Sequence, residues 1–240
     1  MRVPTLTGFV ISHLTLSAQY CAVVSKSSQQ ARRSSILSVH MSGQLKPTGQ
    51  RAYRMGRRRE QLDLTRQRIT EAAFDLHSTV GPAHTSISAV AERAGVQRHT
   101  VYHHFPDLTA LFRACTEHGM RIIGVPDAAP WRAIDDPTAR LRMALAELYP
   151  FYRTNARLLG NIVRDRPQRT DVGGSEAFVE RMTDLFSALA SGWTGGAGTQ
   201  RLRMAVIGHA MSYETWRSLT DRGLTDAEAI DLMVQFVTTV

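Results

Sequence analysis

Cysteine is scarce in this chain. Cys21 and Cys115 are the only two in 240 residues, and their wide separation excludes a disulfide framework or a CxxC metal site. Such usage fits a reducing, cytoplasmic setting. No run approaches the roughly 18 consecutive apolar residues that a transmembrane helix needs, so no membrane partner is expected. No segment alternates apolar and polar residues as a strand does, so helices alone are expected. The glycines of SGWTGGAGTQ have no GK[ST] after them and no strand before them, which makes them a linker and not a phosphate loop. No nucleophile–base pair, paired carboxylates or ligand cluster stands out, so an enzyme, a cofactor and a metal are not expected. His99 and His103 are spaced i, i+4, but a third ligand is missing.

Basic charge is abundant, and it is unevenly placed. Residues 1–66 hold 11 basic and 2 acidic side chains, whereas residues 67–240 hold 18 and 19. The net charge of +8 therefore sits on an N-terminal arm, which points to a polyanionic partner. Phe9 to Val24 behind Arg2 is a weak match to a signal peptide. The Ser-, Gln- and Arg-rich composition up to Gln50 predicts disorder, and residues 1–60 are read as a disordered basic extension. Arg51, Arg54, Arg57, Arg58, Arg59 and Arg66 crowd its end. Arg57, Arg58 and Arg59 are candidates to neutralise the phosphates of such a partner.

The first well-marked helix runs from about Leu64 to Val80, with Ile69, Ala72, Ala73, Leu76 and Val80 on one face. Gly81-Pro82 stops it. Next, Ile87, Val90, Ala91 and Ala94 mark a second apolar face. Thr85 or Ser86 can cap its start, and Gly95 ends it in the left-handed region. A short helix follows, with Val101 and Phe105 inward and Arg98, His99 and His103 outward. Two short helices joined at a tight turn form a helix-turn-helix, whose second helix enters the DNA major groove. Asp107 then caps a fourth helix to about Ile123, with Leu108, Leu111, Phe112 and Cys115 in phase.

With ITEAAFDLH, TSISAVAERAGV and VYHHFPDLTALF in place, residues 64–122 resemble the TetR/AcrR family of bacterial transcriptional regulators. The resemblance implies an all-α, TetR-like fold: a three-helix helix-turn-helix DNA-binding domain over 62–122, with its motif at 85–105, and a helical effector-binding and dimerisation domain over 123–240. It places Gln97, Arg98, His99, Thr100 and His103 on the base-reading surface. Thr85 and Ser86 fall where a helix start meets phosphate, and Tyr102 and His104 where side chains press against the backbone. Arg98 is suited to guanine O6 and N7, and Gln97 to an adenine edge. The sequence departs from the family at Leu108, where a phosphate-gripping lysine is common, at Gln97, where a Ser or Thr cap is usual, and at His99, which replaces a small residue.

In the second half, Asp136-Pro137 starts a helix with Leu141, Leu145, Leu148 and Tyr152 on one face, and Pro150 predicts a kink or break. Asn155 opens a shorter helix, Thr170–Ser175 reads as a loop, and Ser175 caps the next helix. Thr199 is read as the cap of a single helix to Thr220, with Leu202, Val206, His209, Tyr213 and Trp216 in one stripe. The last helix begins near Asp226. Tyr149, Tyr152, Asn155, Arg164, Trp193, His209, Tyr213 and Trp216 are the side chains suited to an effector cavity. By resemblance, residues 199–220 and 225–240 build the interface of a homodimer. Together these features describe a DNA-binding repressor with a double-stranded operator and a small-molecule effector as partners. The competing description is an architectural DNA-binding protein with no effector.

Overall fold

The computed structural model describes residues 49–166 and 175–240, and no strand occurs among them. Expectations for residues 1–48 and for the loop at 170–174 lie outside the described residues. No described helix is long and apolar enough to cross a membrane.

Helix α1 spans Gly49–Thr79, starting fifteen residues ahead of the Leu64 expected from its apolar period. Residues 49–60 are thus helical, where disorder was expected. Their side chains from Tyr53 onward are exposed, so no buried stripe announces them. Arg, Gln, Met and Glu, which occur there, are instead good intrinsic helix formers, and the Arg57 guanidinium lies 5.8 Å from the Tyr53 ring one turn earlier. Ile69, Ala72 and Ala73 are buried, but Val80 is 45% exposed, because the helix has ended before its side chain can join that face.

A 3-10 turn at Pro82–His84 leads into α2 (Ile87–Ala94), α3 (Arg98–His104) and α4 (Leu108–Ile123). One apolar core joins them: Ile69 and Ala73 from α1, Val90 and Ala94 from α2, Val101 and Phe105 from α3 and its end, and Leu111 and Cys115 from α4. Burial raises the Cys115 thiol pKa to about 12, and Sγ lies 3.2 Å from His77 Nδ1. Cys115 is a packed, un-ionised side chain.

The second half comprises α5 (Ala129–Arg132), α6 (Pro137–Thr154), α7 (Ala156–Asp165), α8 (Glu176–Ala190), α9 (Ala197–Ala210), α10 (Tyr213–Thr220) and α11 (Asp226–Thr239). Its own core gathers Trp131, Leu141, Leu145, Leu148, Leu185, Ile207, Trp216, Val234 and Val237. Asp136, Ser175, Ser212 and Thr225 each cap a helix through the side chain. Helix α6 continues through Pro150 without a break. The carbonyl freed there belongs to Ala146, on the exposed face, where solvent can satisfy it.

The single helix expected over 199–220 is two. Gly196, not Thr199, is the N-cap of α9, and the chain breaks at Met211 before Ser212 restarts it. The carbonyls at the break are satisfied from α6. Tyr149 donates to Ala210 O at 3.0 Å, and Tyr152 donates to Met211 O.

The two cores meet at the end of α1. The last carbonyls of a helix lack intrahelical donors, and here α7 supplies them. Arg157 donates to Thr79 O at 3.2 Å, and Asn161 donates to His77 O and Ser78 O at 3.2 and 3.0 Å. Arg164 donates to Val80 O at 2.9 Å. Asp165, 1% exposed, accepts from the Ala83 amide at 3.0 Å and pairs with Arg164. Gly81, at φ 101°, lies so close that a Cβ would sit 2.3 Å from Arg164 Nη2 and Asp165 Oδ2. Replacing the buried Asn161 with Leu removes its two donations, to the His77 and Ser78 carbonyls. The expected loss is about 1–3 kcal/mol of stability, read as a lower urea midpoint at unchanged slope.

Candidate nucleic-acid interface

The helix-turn-helix is built by local chemistry. Ser86 Oγ accepts from the Ala89 amide at 3.1 Å, which sets the start of α2; Thr85 instead donates to Gly81 O at 2.8 Å. Gly95 takes φ 64°, and the Val96 amide returns to Ala91 O at 3.0 Å, closing α2 tightly enough to turn the chain. Helix α3 then begins at Gln97 with no side-chain cap. Val101 and Phe105 are fully buried, and this anchoring leaves Gln97, Arg98, His99, Tyr102 and His103 exposed. Thr100 and His104 are half-buried on the same short helix.

Within this surface Arg98 donates to Tyr102 Oη at 3.3 Å and lies 5.7 Å from its ring. The guanidinium is therefore held along the helix instead of waving freely. His99 Nε2 and Thr100 Oγ1 are 3.5 Å apart. The His103 and His104 rings meet edge-on at 5.4 Å. Burial, then the neighbouring His103 and Arg66, hold the His104 imidazole below its ordinary pKa.

Arg66 turns out to be more than one member of a basic run. It donates to His104 O at 2.7 Å and stacks 4.2 Å from the centroid of the Phe105 ring. It thereby satisfies a carbonyl at the end of α3 and covers the aromatic anchor. The hint in the sequence is its phase, three residues ahead of the buried Ile69; its partners, 38 and 39 residues on, leave no local signature. Arg57, Arg58 and Arg59 are exposed on α1. Asp107 caps α4 as expected, accepting from the Ala110 amide at 2.7 Å. Leu108 is 43% exposed and not on the buried face. As the first residue of its helix it projects beyond the core layer, so an apolar side chain borders this surface.

Most of the eight side chains expected to line an effector cavity make packing and hydrogen-bond contacts within the fold. Tyr149, Tyr152, Tyr213 and Trp216 stack together, with ring centroids 5.5 to 6.2 Å apart between neighbours. Beyond the two tyrosines at the α9–α10 break, Tyr213 donates to Ala156 O at 2.9 Å. Trp216 donates to Asp226 at 2.9 Å. Trp193 donates to Leu189 O and Asn155 to Phe151 O, each at the end of a helix. His209 is exposed and lies 3.1 Å from Thr215 Oγ1. Only Arg164 and Tyr213 of the eight line the open groove of about 740 Å³ between α7 and α10.

Residues 69–115 match the model of bacterial regulatory proteins of the tetR family. Over 86 residues the chain is 35% identical to the HTH-type transcriptional regulator BetI of Yersinia pestis (strain Pestoides F), and equally to that of Yersinia pseudotuberculosis serotype O:1b. Each match covers 35% of this chain and 43% of the relative, so it spans less than half the length of those relatives. In fold, the chain is similar to a TetR-like transcriptional regulator from Rhodococcus sp. RHA1. The TM-score is 0.50 at 23% identity, covering 72% of this chain and 93% of that one.

The low pKa of His104 has a definite sign. Between its folded value and the ordinary imidazole value the unfolded chain holds more protons, so stability falls as pH drops through that window. Urea midpoints measured from about pH 8 to about pH 5 should fall less steeply in His104→Gln than in the parent.

Proposed function

We propose, from the match of residues 69–115 to the tetR family of bacterial regulatory proteins, that the chain is a cytoplasmic, sequence-specific DNA-binding repressor released from its operator by a small molecule. Residues 62–122 are the DNA-binding domain and residues 123–240 the effector and dimerisation domain. The observation that carries the reading is the exposed Gln97, Arg98, His99 and His103 set on a helix anchored by Val101 and Phe105 and braced by Arg66.

In this reading Arg98 offers two parallel donors to a guanine edge and Gln97 pairs an adenine. Thr100 and His103 face neighbouring bases. Tyr102, Thr85 and Ser86 grip phosphates and set register without reading sequence. His104, held below its ordinary pKa, contacts the backbone as a neutral donor. With Leu108 where a lysine is common, Arg57, Arg58 and Arg59 supply the phosphate neutralisation. Two copies related by a two-fold axis match a pseudo-palindromic operator. Their contact is made by α9 and α11, which pack on each other and leave Leu202, Leu232 and Phe236 42–52% exposed.

Arg98→Ala is expected to weaken binding to the gene's own upstream region by about 1–3 kcal/mol, measured by fluorescence anisotropy; unchanged affinity defeats the assignment. Joint replacement of Arg57, Arg58 and Arg59 with Ala should lower the salt slope of log K by about three in magnitude. Leu232→Glu with Phe236→Glu should shift sedimentation from dimer to monomer, and an unshifted dimer places the contact elsewhere.

A further inference from the structure

We propose that the groove between α7 and α10 binds a small dianion, a phosphate monoester or a dicarboxylate, and that its capture draws on the arginine that holds the end of α1. Any effect on DNA rests on the regulator reading above; the site itself does not.

Arg157, Asn161 and Arg164 recur at i, i+4 and i+7 along α7, so they share one face. On one side that face meets the carbonyls at the end of α1. On the other it forms a wall of the groove, whose opposite wall presents Tyr213, Arg217 and Arg222. The ion pairs around it leave a positive remainder. Arg164 is matched by Asp165 at 2.7 Å and Arg217 by Asp221 at 2.9 Å. The lining Glu214 pairs outward with Arg166 at 3.2 Å. Arg157 and Arg222 hold only neutral acceptors: Thr79 O at 3.2 Å for the first, and Ser218 O and Oγ at 2.7 Å for the second. Among the described residues, neither has a carboxylate partner.

Two exposed guanidinium forks on one groove, each bonded only to neutral oxygens, suit an anion with two acceptor groups. A dianion adds to the hydrogen bond the attraction of opposite charges, which the neutral Thr79 carbonyl lacks, so it outcompetes that carbonyl for Arg157. Capture then removes a donor from the end of α1 and loosens the turn beyond it. The coupling between groove and α1 is a competition for one side chain, and it requires no wider rearrangement.

The test is calorimetric titration of the full chain with inorganic phosphate and, separately, with malonate, at fixed ionic strength in chloride. Saturable binding of either probe is expected. Arg222→Gln, which leaves every bond to α1 intact, should weaken it about tenfold or more. Arg142→Gln, on a surface pair with Asp231, should leave it unchanged. Amide exchange over residues 80–85 should speed up on binding. Failure of both probes to saturate, or equal losses in Arg142→Gln and Arg222→Gln, overturns the site. Binding without faster exchange overturns the competition for Arg157. Saturable, Arg222-dependent binding by a chain with no affinity for DNA supports the site and defeats the regulator reading instead.

Discussion

The arrangement rests on the carbonyls that α1 leaves open at its end. Four consecutive oxygens, from His77 to Val80, run from the buried side of that end out to its exposed rim. An unmet buried acceptor costs about 1–3 kcal/mol. One face of α7 meets all four, through Arg157, Asn161 and Arg164. Asp165 then fixes the next turn by accepting from Ala83. The helix-turn-helix half and the second half are thus joined by the completion of a single helix terminus.

The same principle organises the second half. The chain stops and restarts between α9 and α10, and the hydroxyls of Tyr149 and Tyr152 close the exposed backbone. Trp193 and Asn155 do likewise at the ends of α8 and α6. Aromatic and amide side chains on inward faces look like ligand contacts when only their spacing is known. Here their polar atoms complete helix ends, and their rings fill the space between helices.

What could be read beforehand was what is local. The Ser86 cap, the Gly95 turn and the Asp107 cap each depend on atoms within four residues, and each stands where its sequence placed it. The all-helical fold followed from periodicity, as did the buried faces of α2, α6 and α11. Three features escaped for one reason: their causes lie far along the chain or outside any apolar period. The exposed first half of α1 has no buried stripe. Arg66 finds His104 at a separation of 38 residues. The side chains of α7 find their carbonyls about 80 residues away. Leu108 shows the opposite error, where correct phase was mistaken for burial at a position beyond the edge of the core.

Helix α1 also has a mechanical meaning. At about 1.5 Å per residue, roughly 32 Å of unbroken helix separates Arg58 from Thr79. Along this rod lie the exposed arginines, then the Arg66 brace on α3, then the carbonyls gripped by α7. Such a rod acts as a lever with its fulcrum at Arg66. A tilt of about five degrees moves the arginine end by roughly 1 Å relative to that fulcrum, given the helix rise. That displacement approaches the tolerance of a hydrogen bond to phosphate. A single carbonyl contact exchanged at α7 is small in energy, but it acts at the long lever's far end.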